Sequence, residues 1–211
     1  MAFHHEPVMP REILGYLCPR EGGVYADGTL GGGGHSALIL EAMNGGGTLY
    51  GIDRDPAALQ AAGERLKGYA GFHAVHGNFH DVLSLLPPDV RLDGGLLDLG
   101  VSSHQIDTPE RGFSFHENAP LDMRMDPTSG VTAAEWLNTV DEKEMTRVLY
   151  EYADEKWAAR IARMLMESGR KNPWRPLLIW WRWWTRPFPG PSGAGRKGTA
   201  QGGPSRRYAS P

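Results

Sequence analysis

The chain has 211 residues, 40% of them hydrophobic and 22% charged, with a formal net charge of −3 and one cysteine. That is enough chain to bury a core without staples; the lone Cys18 excludes a disulfide framework and suits a reducing, cytosolic compartment. There is no apolar run of membrane-spanning length and no basic-then-apolar leader, and the slightly acidic balance argues against a protein that coats nucleic acid.

Residues 24–27 predict a short strand that runs into Gly28-Thr-Leu-Gly-Gly-Gly-Gly-His35-Ser36, and 36–43 reads as a helix. A second strand is expected over 48–53, followed by a helix over 56–67 with Pro56 in its first turn. A third strand over 72–77, a short helix over 81–86 and a fourth strand over 92–99 complete an alternating pattern. Alternation of this kind predicts βαβ units on a parallel sheet, and the apolar runs predict strands covered on both faces.

Residues 100–126 are rich in Gly, Pro, Ser and Asp without a period, which predicts a long functional loop. Arg111 and Arg124 within it are candidates for phosphate, or for pairing with Asp107, Asp122 or Asp126. Helices follow: Thr132-Ala-Ala-Glu135 and Asp141-Glu-Lys-Glu144 both have capping-box spacing, and Asp154 can cap a helix over 155–167 with Trp157, Ile161 and Leu165 on one stripe.

The composition then changes. All 25 acidic residues precede Pro173, together with 15 of the 22 basic ones, giving −10; from Pro173 onward there are seven basic residues and five of the seven Trp. This stretch has no lasting period and reads as a disordered tail, or as a basic, aromatic RNA-binding arm. Because Trp has a single codon, the Trp180-Trp-Arg-Trp-Trp184 run can be shifted in register. Read from the third nucleotide of Trp180, with AGG for Arg182, it encodes Val-Glu-Val-Val. The expectation is therefore an out-of-frame tail over 173–211, after a sheet domain over 1–126 and the start of a helical domain over 127–172.

A glycine-rich turn between a first strand and a helix, with Asp53 ending the next strand, predicts a nucleotide site. Gly32-x-Gly34-x-x-Ala37 fits a permissive dinucleotide pattern, so an NAD-type oxidoreductase is one reading. Against it, Asp27 directly precedes the glycines and would sit badly beside a pyrophosphate. S-adenosylmethionine has no phosphate and carries a cationic sulfonium and ammonium, so Asp27 and Asp98 at strand ends suit it better. His73, His76 and His80 cluster in sequence, but His73 and His76 would face opposite sides of a strand, and no metal site is expected.

At Leu97-Asp98-Leu99-Gly100-Val101-Ser102-Ser103-His104-Gln105-Ile106-Asp107 the chain closely resembles a bacterial family, the S-adenosylmethionine-dependent 16S rRNA cytosine-N4 methyltransferases known as ribosomal RNA small subunit methyltransferase H. The likeness includes His5-Glu-Pro-Val8, Gly51-Ile-Asp-Arg-Asp-Pro56, His76-Gly-Asn-Phe79, Glu110-Arg-Gly-Phe-Ser-Phe115, Pro120-Leu-Asp-Met-Arg-Met-Asp126 and Ala133-Ala-Glu-Trp-Leu-Asn138. It implies an α/β, Rossmann-like sheet, incomplete here, with part of an inserted helical domain. The cofactor it implies is S-adenosylmethionine, contacted by Gly33, Gly34, His35, Asp53, Phe79, Asp98 and Gln105. In this reading Asp53 meets the ribose hydroxyls, Phe79 the adenine, and Asp98 is the catalytic candidate, an acceptor for a hydrogen of the target amine. Plain packing of Phe79 and strand-end capping by Asp98 are the structural alternatives. The implied partner is 16S rRNA in the small ribosomal subunit, with a target base covered by 102–126. In the family the chain continues through an Arg-Thr-Phe-Gln-Ala-Leu-Arg-Ile stretch, which the shifted frame over 201–210 can encode. Without the last strands the chain is expected to be unstable or inactive, or to persist as a non-catalytic RNA-binding fragment.

Overall fold

A computed structural model describes residues 7–114, 119–171 and 173–174. The expectation for 173–211 lies outside these residues, except at Pro173 and Trp174. Four parallel strands, β1 (Val24–Asp27), β2 (Thr48–Asp53), β3 (Phe72–His76) and β4 (Gly94–Leu96), form one sheet in the order β3-β2-β1-β4. The register sets Asp27 opposite both Gly51 and Leu96, and Asp53 opposite His76. The chain winds outward from β1 through β2 to β3, then returns to β1's other side for β4. The switch in direction lies between β1 and β4, where open α/β sheets take their ligands at the strands' C-terminal ends.

The first unit contains α1 (Pro10–Leu17), α2 (Gly34–Ala42), α3 (Pro56–Leu66) and the short α4 (Val82–Leu85). α3 starts where the sequence says it should: Asp55 accepts a hydrogen bond from the Ala57 N–H, and Pro56 fills the position that needs no donor. Tyr25, Ile39, Leu40, Met43, Leu49, Ala62 and Leu66 form the core between sheet and helices.

Several expectations are corrected. The helix α1 was not anticipated: it is only eight residues long, has Gly15 inside it, and none of its residues is fully buried. The fourth strand pairs only over Gly94–Leu96; Leu97 and Leu99 leave the ladder and are exposed. Among the described residues, strands covered on both faces are found only at β1 and β2. β3 and β4 are the sheet's two edges among the described residues, and neither contains a fully buried residue.

The loop over 100–126 is also less irregular than expected. It contains α5 (Ser103–Asp107), whose Ser102 and Gln105 close a reciprocal capping box, and a single 3-10 turn at Pro109–Arg111. The second unit is built from α6 (Ala133–Thr139), α7 (Glu142–Glu151) and α8 (Ala158–Lys171). Thr132 and Glu135 make the expected box at α6. At α7, Asp141 caps the Glu144 N–H, but the Glu144 carboxylate turns instead to Arg147. Asp154 does not cap α8; it adopts a left-handed φ of 47° in the turn before it, and Trp157 is exposed while Ile161 and Leu165 are buried. Trp174 closes this unit. It is 2% exposed against Leu121, Met145, Ile161, Ala162 and Leu165, and it exchanges two hydrogen bonds with Asn138. A β-carbon on Gly169 would lie 2.6 Å from the Trp174 Nε1, so only glycine lets the indole close against α8.

Candidate functional site

The glycine loop is stitched across the C-terminal edge of the sheet. The Gly28 N–H donates to the Leu96 carbonyl beyond β1, and the Leu30 N–H donates to that of Ile52 on β2. Gly33 takes φ 74°, a left-handed conformation, and its backbone packs on Ala62 and Leu66 of α3. No side chain caps α2 at its start, so the first N–H groups of that helix are left without an intrahelical or side-chain partner.

Asp27 holds the loop from beneath. It is 1% exposed and accepts from the Thr29 N–H at 3.1 Å and the Ser36 hydroxyl at 2.8 Å. Burial raises its pKa above the ordinary carboxylate range, and the bonds from Ser36 and Thr29 oppose the rise. Sequence reasoning set Asp27 beside the ligand; the structure gives it the task of fixing the turn. Thr29 extends the link, accepting the Asp98 N–H on its hydroxyl at 2.7 Å.

Asp53 stands at the end of β2. Its two carboxylate oxygens accept from the N–H groups of Asp55, at 2.9 Å, and Gly31, at 2.8 Å, and each retains a lone pair. Burial raises the Asp53 pKa too, against those N–H bonds. His35, buried in the first turn of α2, sets its Nε2 2.9 Å from the Val8 carbonyl and its Nδ1 3.9 Å from the Asp98 carboxylate. Asp98 itself is 47% exposed. Gly34 faces Pro7 of the same N-terminal segment.

Phe79 follows β3 and is 37% exposed. A β-carbon added to Gly28 would lie 2.9 Å from the Phe79 Cβ and 2.5 Å from the Leu97 Cδ2. The two side chains therefore close over the bare Gly28 backbone. Gly33, Gly34, His35, Asp53, Phe79 and Asp98 thus gather at one edge of the sheet, around the glycine loop.

Gln105 lies to one side of that group. It is buried, donates from Nε2 to the Asp55 carboxylate at 3.0 Å, and accepts the Ser102 N–H on Oε1. Arg111 is not paired with Asp107, Asp122 or Asp126, as its sequence neighbourhood suggested. It pairs with Asp55 at 2.6 Å and donates to the carbonyls of Arg124 and Met125. Arg124 does pair with Asp122, at 2.7 Å. Asp55 is the residue at this edge of the site whose contacts sequence reasoning missed. The Asp55-Pro56 pair signals a helix cap, but no local pattern announces a partner 56 residues away. Among the described residues no group of His, Cys, Asp and Glu could hold a metal ion, and no helix is long and apolar enough to cross a membrane.

A profile of the MraW methylase family matches residues 2–176. The chain is 54% identical over 177 residues to ribosomal RNA small subunit methyltransferase H of Geobacter sulfurreducens, across 82% of this chain and 57% of that protein. It is 48% identical to the protein of the same name from Heliobacterium modesticaldum, across 82% of this chain and 56% of that one. The chain therefore spans little more than half the length of these relatives. Among solved structures it is similar to NSun6 from Pyrococcus horikoshii with SFG, at a TM-score of 0.41 and 21% identity over 46% of this chain and 25% of that one. On the family profile and the identity to these relatives, the chain belongs to the MraW methylase family.

Proposed function

We propose that the chain carries the cofactor-binding part of an S-adenosylmethionine-dependent methyltransferase that acts in the cytoplasm on the N4 amine of a cytosine in the decoding region of 16S rRNA. The observation that carries this reading is the acidity of the strand-end site. Asp27 and Asp53 accept only from hydroxyls and backbone N–H groups there, and neither is ion-paired with a basic side chain among the described residues. Such a site attracts a cationic sulfonium and ammonium and repels a pyrophosphate, which disfavours a dinucleotide. The curated relatives are named for methylation of small-subunit ribosomal RNA, which supports the substrate class.

The residues fit this cofactor. The uncapped first turn of α2, with Gly33 and Gly34, offers N–H groups to a carboxylate, and His35 stands beside it. Asp53 has lone pairs left for ribose hydroxyls, and Phe79 with Leu97 forms an apolar wall for an adenine. When bound, S-adenosylmethionine supplies an electrophilic methyl group. The chain's own task is to hold the target amine in line and to accept one of its hydrogens, because the N4 lone pair is delocalised into the ring. Asp98, exposed and next to His35, is assigned that acceptor role; Gln105 is assigned to the same side of the site.

Calorimetric titration of the 211-residue chain with S-adenosylmethionine, and separately with NADH, tests the cofactor. Binding of the first and none of the second is expected; the reverse would overturn the reading. Mass spectrometry of 16S rRNA from small subunits incubated with chain and cofactor tests the substrate: methylation elsewhere than a cytosine N4 would refute the assignment.

A further inference from the structure

Asp55 and Arg111 form an ion pair that joins the two units of the fold. The Asp55 side chain is 3% exposed and that of Arg111 11%. One Asp55 oxygen caps α3, while the other takes both Arg111 Nη1 and Gln105 Nε2. On its far side, Arg111 Nη2 donates to the carbonyls of Arg124 and Met125, and the Arg111 carbonyl accepts the Met123 N–H. That segment belongs to the helical unit: Leu121 is buried in its core, and the carbonyls of Leu121 and Asp122 accept N–H groups from the start of α6. Met123 is held at φ 62°, a strained value that persists only where surrounding contacts over-determine it. Gly112, at φ 71°, sits so close to Pro120 and Asp122 that a β-carbon there would lie 2.6 Å from the Pro120 carbonyl oxygen.

On the sheet side, the Asp55 N–H donates to Asp53, the residue to which the ribose hydroxyls were assigned. A buried ion pair is weak evidence of stability, because desolvation offsets its attraction, and its better-attested use is to fix one arrangement among several. We propose that Arg111 is a positioning residue, a latch from Asp55 to the 119–126 segment that sets the helical unit over the cofactor end of the sheet and steadies Asp53 through Asp55. The planar guanidinium suits this bridging because it reaches three acceptors at once. A lysine ammonium would keep the charge beside Asp55 but could not span to both carbonyls.

The latch rests on the cofactor reading above, and Arg111→Lys separates the two. In the ligand-free protein the variant is expected to melt within a few degrees of wild type. Its 119–126 amides are expected to exchange roughly tenfold faster, and S-adenosylmethionine to bind roughly tenfold more weakly. Arg111→Met, which strands the Asp55 charge, is expected to lower the melting temperature far more. Wild-type exchange and affinity in Arg111→Lys would overturn the latch, as would a fall in its melting temperature equal to that of Arg111→Met. If the wild-type chain does not bind S-adenosylmethionine, the cofactor reading fails alone, and amide exchange still decides the latch.

Discussion

Gly28→Ala tests whether the slot between Phe79 and Leu97 is as tight as its geometry states. The new methyl carbon would lie 2.5 Å from the Leu97 Cδ2 and 2.9 Å from the Phe79 Cβ. Leu97 is half-exposed, so its δ-methyl can rotate away at little cost. The Phe79 Cβ cannot, since it is fixed to the backbone of a turn in which the Asn78 side chain accepts the His80 N–H. Phe79 must therefore shift by several tenths of an ångström. Overpacking costs about 1–3 kcal/mol, and with one of the two contacts relaxing the lower end applies, about 1–1.5 kcal/mol. For a domain of this length that is a fall of roughly 2–6 °C in melting temperature. Displacing Phe79 should also weaken S-adenosylmethionine binding by roughly tenfold, since a flat apolar contact depends on close approach. Gly63→Ala provides the control. Nothing lies within 4 Å of a β-carbon there, in the interior of α3, so helix propensity alone should stabilise the protein by about 0.5–1 kcal/mol. Differential scanning calorimetry reads the stabilities and isothermal titration the affinity. A Gly28→Ala protein that melts and binds like wild type would refute the tightness of the slot and the role given to Phe79.

Trp174→Ala should cost about 3–5 kcal/mol in chemical denaturation, as expected for a large side chain 2% exposed in a packed cluster; a loss below about 1 kcal/mol would remove Trp174 from the core. Asp126 has its pKa lowered to about 2, first by the Thr128 hydroxyl and further by the Thr128 N–H, Ser129 and His76. A folded-state value below the unfolded one means that its stabilisation is complete above the ordinary carboxylate value and is lost as pH falls through about 2. The gap in melting temperature between wild type and Asp126→Asn should then narrow steadily from pH 5 toward pH 2, and a constant gap would contradict the assignment.

The sheet was legible because its signals are local. Strands such as Thr48–Asp53 announce themselves by apolar composition between turn residues, and Asp55-Pro56 marks a helix start without reference to anything distant. Edges were not legible. Leu97 and Leu99 read as strand by composition, but a strand exists only where a partner supplies hydrogen bonds, and among the described residues β4 has a partner on one side only. The loop over 100–126 failed differently. Its order comes from Arg111, whose acceptors lie on Asp55 and on the Arg124 and Met125 carbonyls, and no sequence period encodes contacts of that kind. For the candidate site, residue types and strand-end positions could be read in advance. What could not be read was that Asp27 is sealed beneath the glycine turn and that Gln105 spends its amide on Asp55 and Ser102.

Three carboxylates stand at the ends of two neighbouring strands, and environment alone divides their work. Asp27 is fully enclosed and bonded to Thr29 and Ser36, so no ligand can touch it, yet its charge, when present, is felt through a low-dielectric core. Asp55 is equally buried, but Arg111 neutralises it and commits it to joining the two units. Asp53 lies between these cases. It is partly buried, braced by two backbone N–H groups, and has no basic side chain among the partners that hold it. With Asp55 paired to its own cation, Asp27, Asp53 and the exposed Asp98 are the carboxylates left around the glycine loop, where Arg65 donates to the Gly32 carbonyl and His35 stands near Asp98. A pyrophosphate would add to that acidity, whereas a ligand carrying a sulfonium and an ammonium would relieve it. The preference proposed for a cationic nucleoside thus rests on which of the three acids already has an arginine, a distinction that total charge conceals.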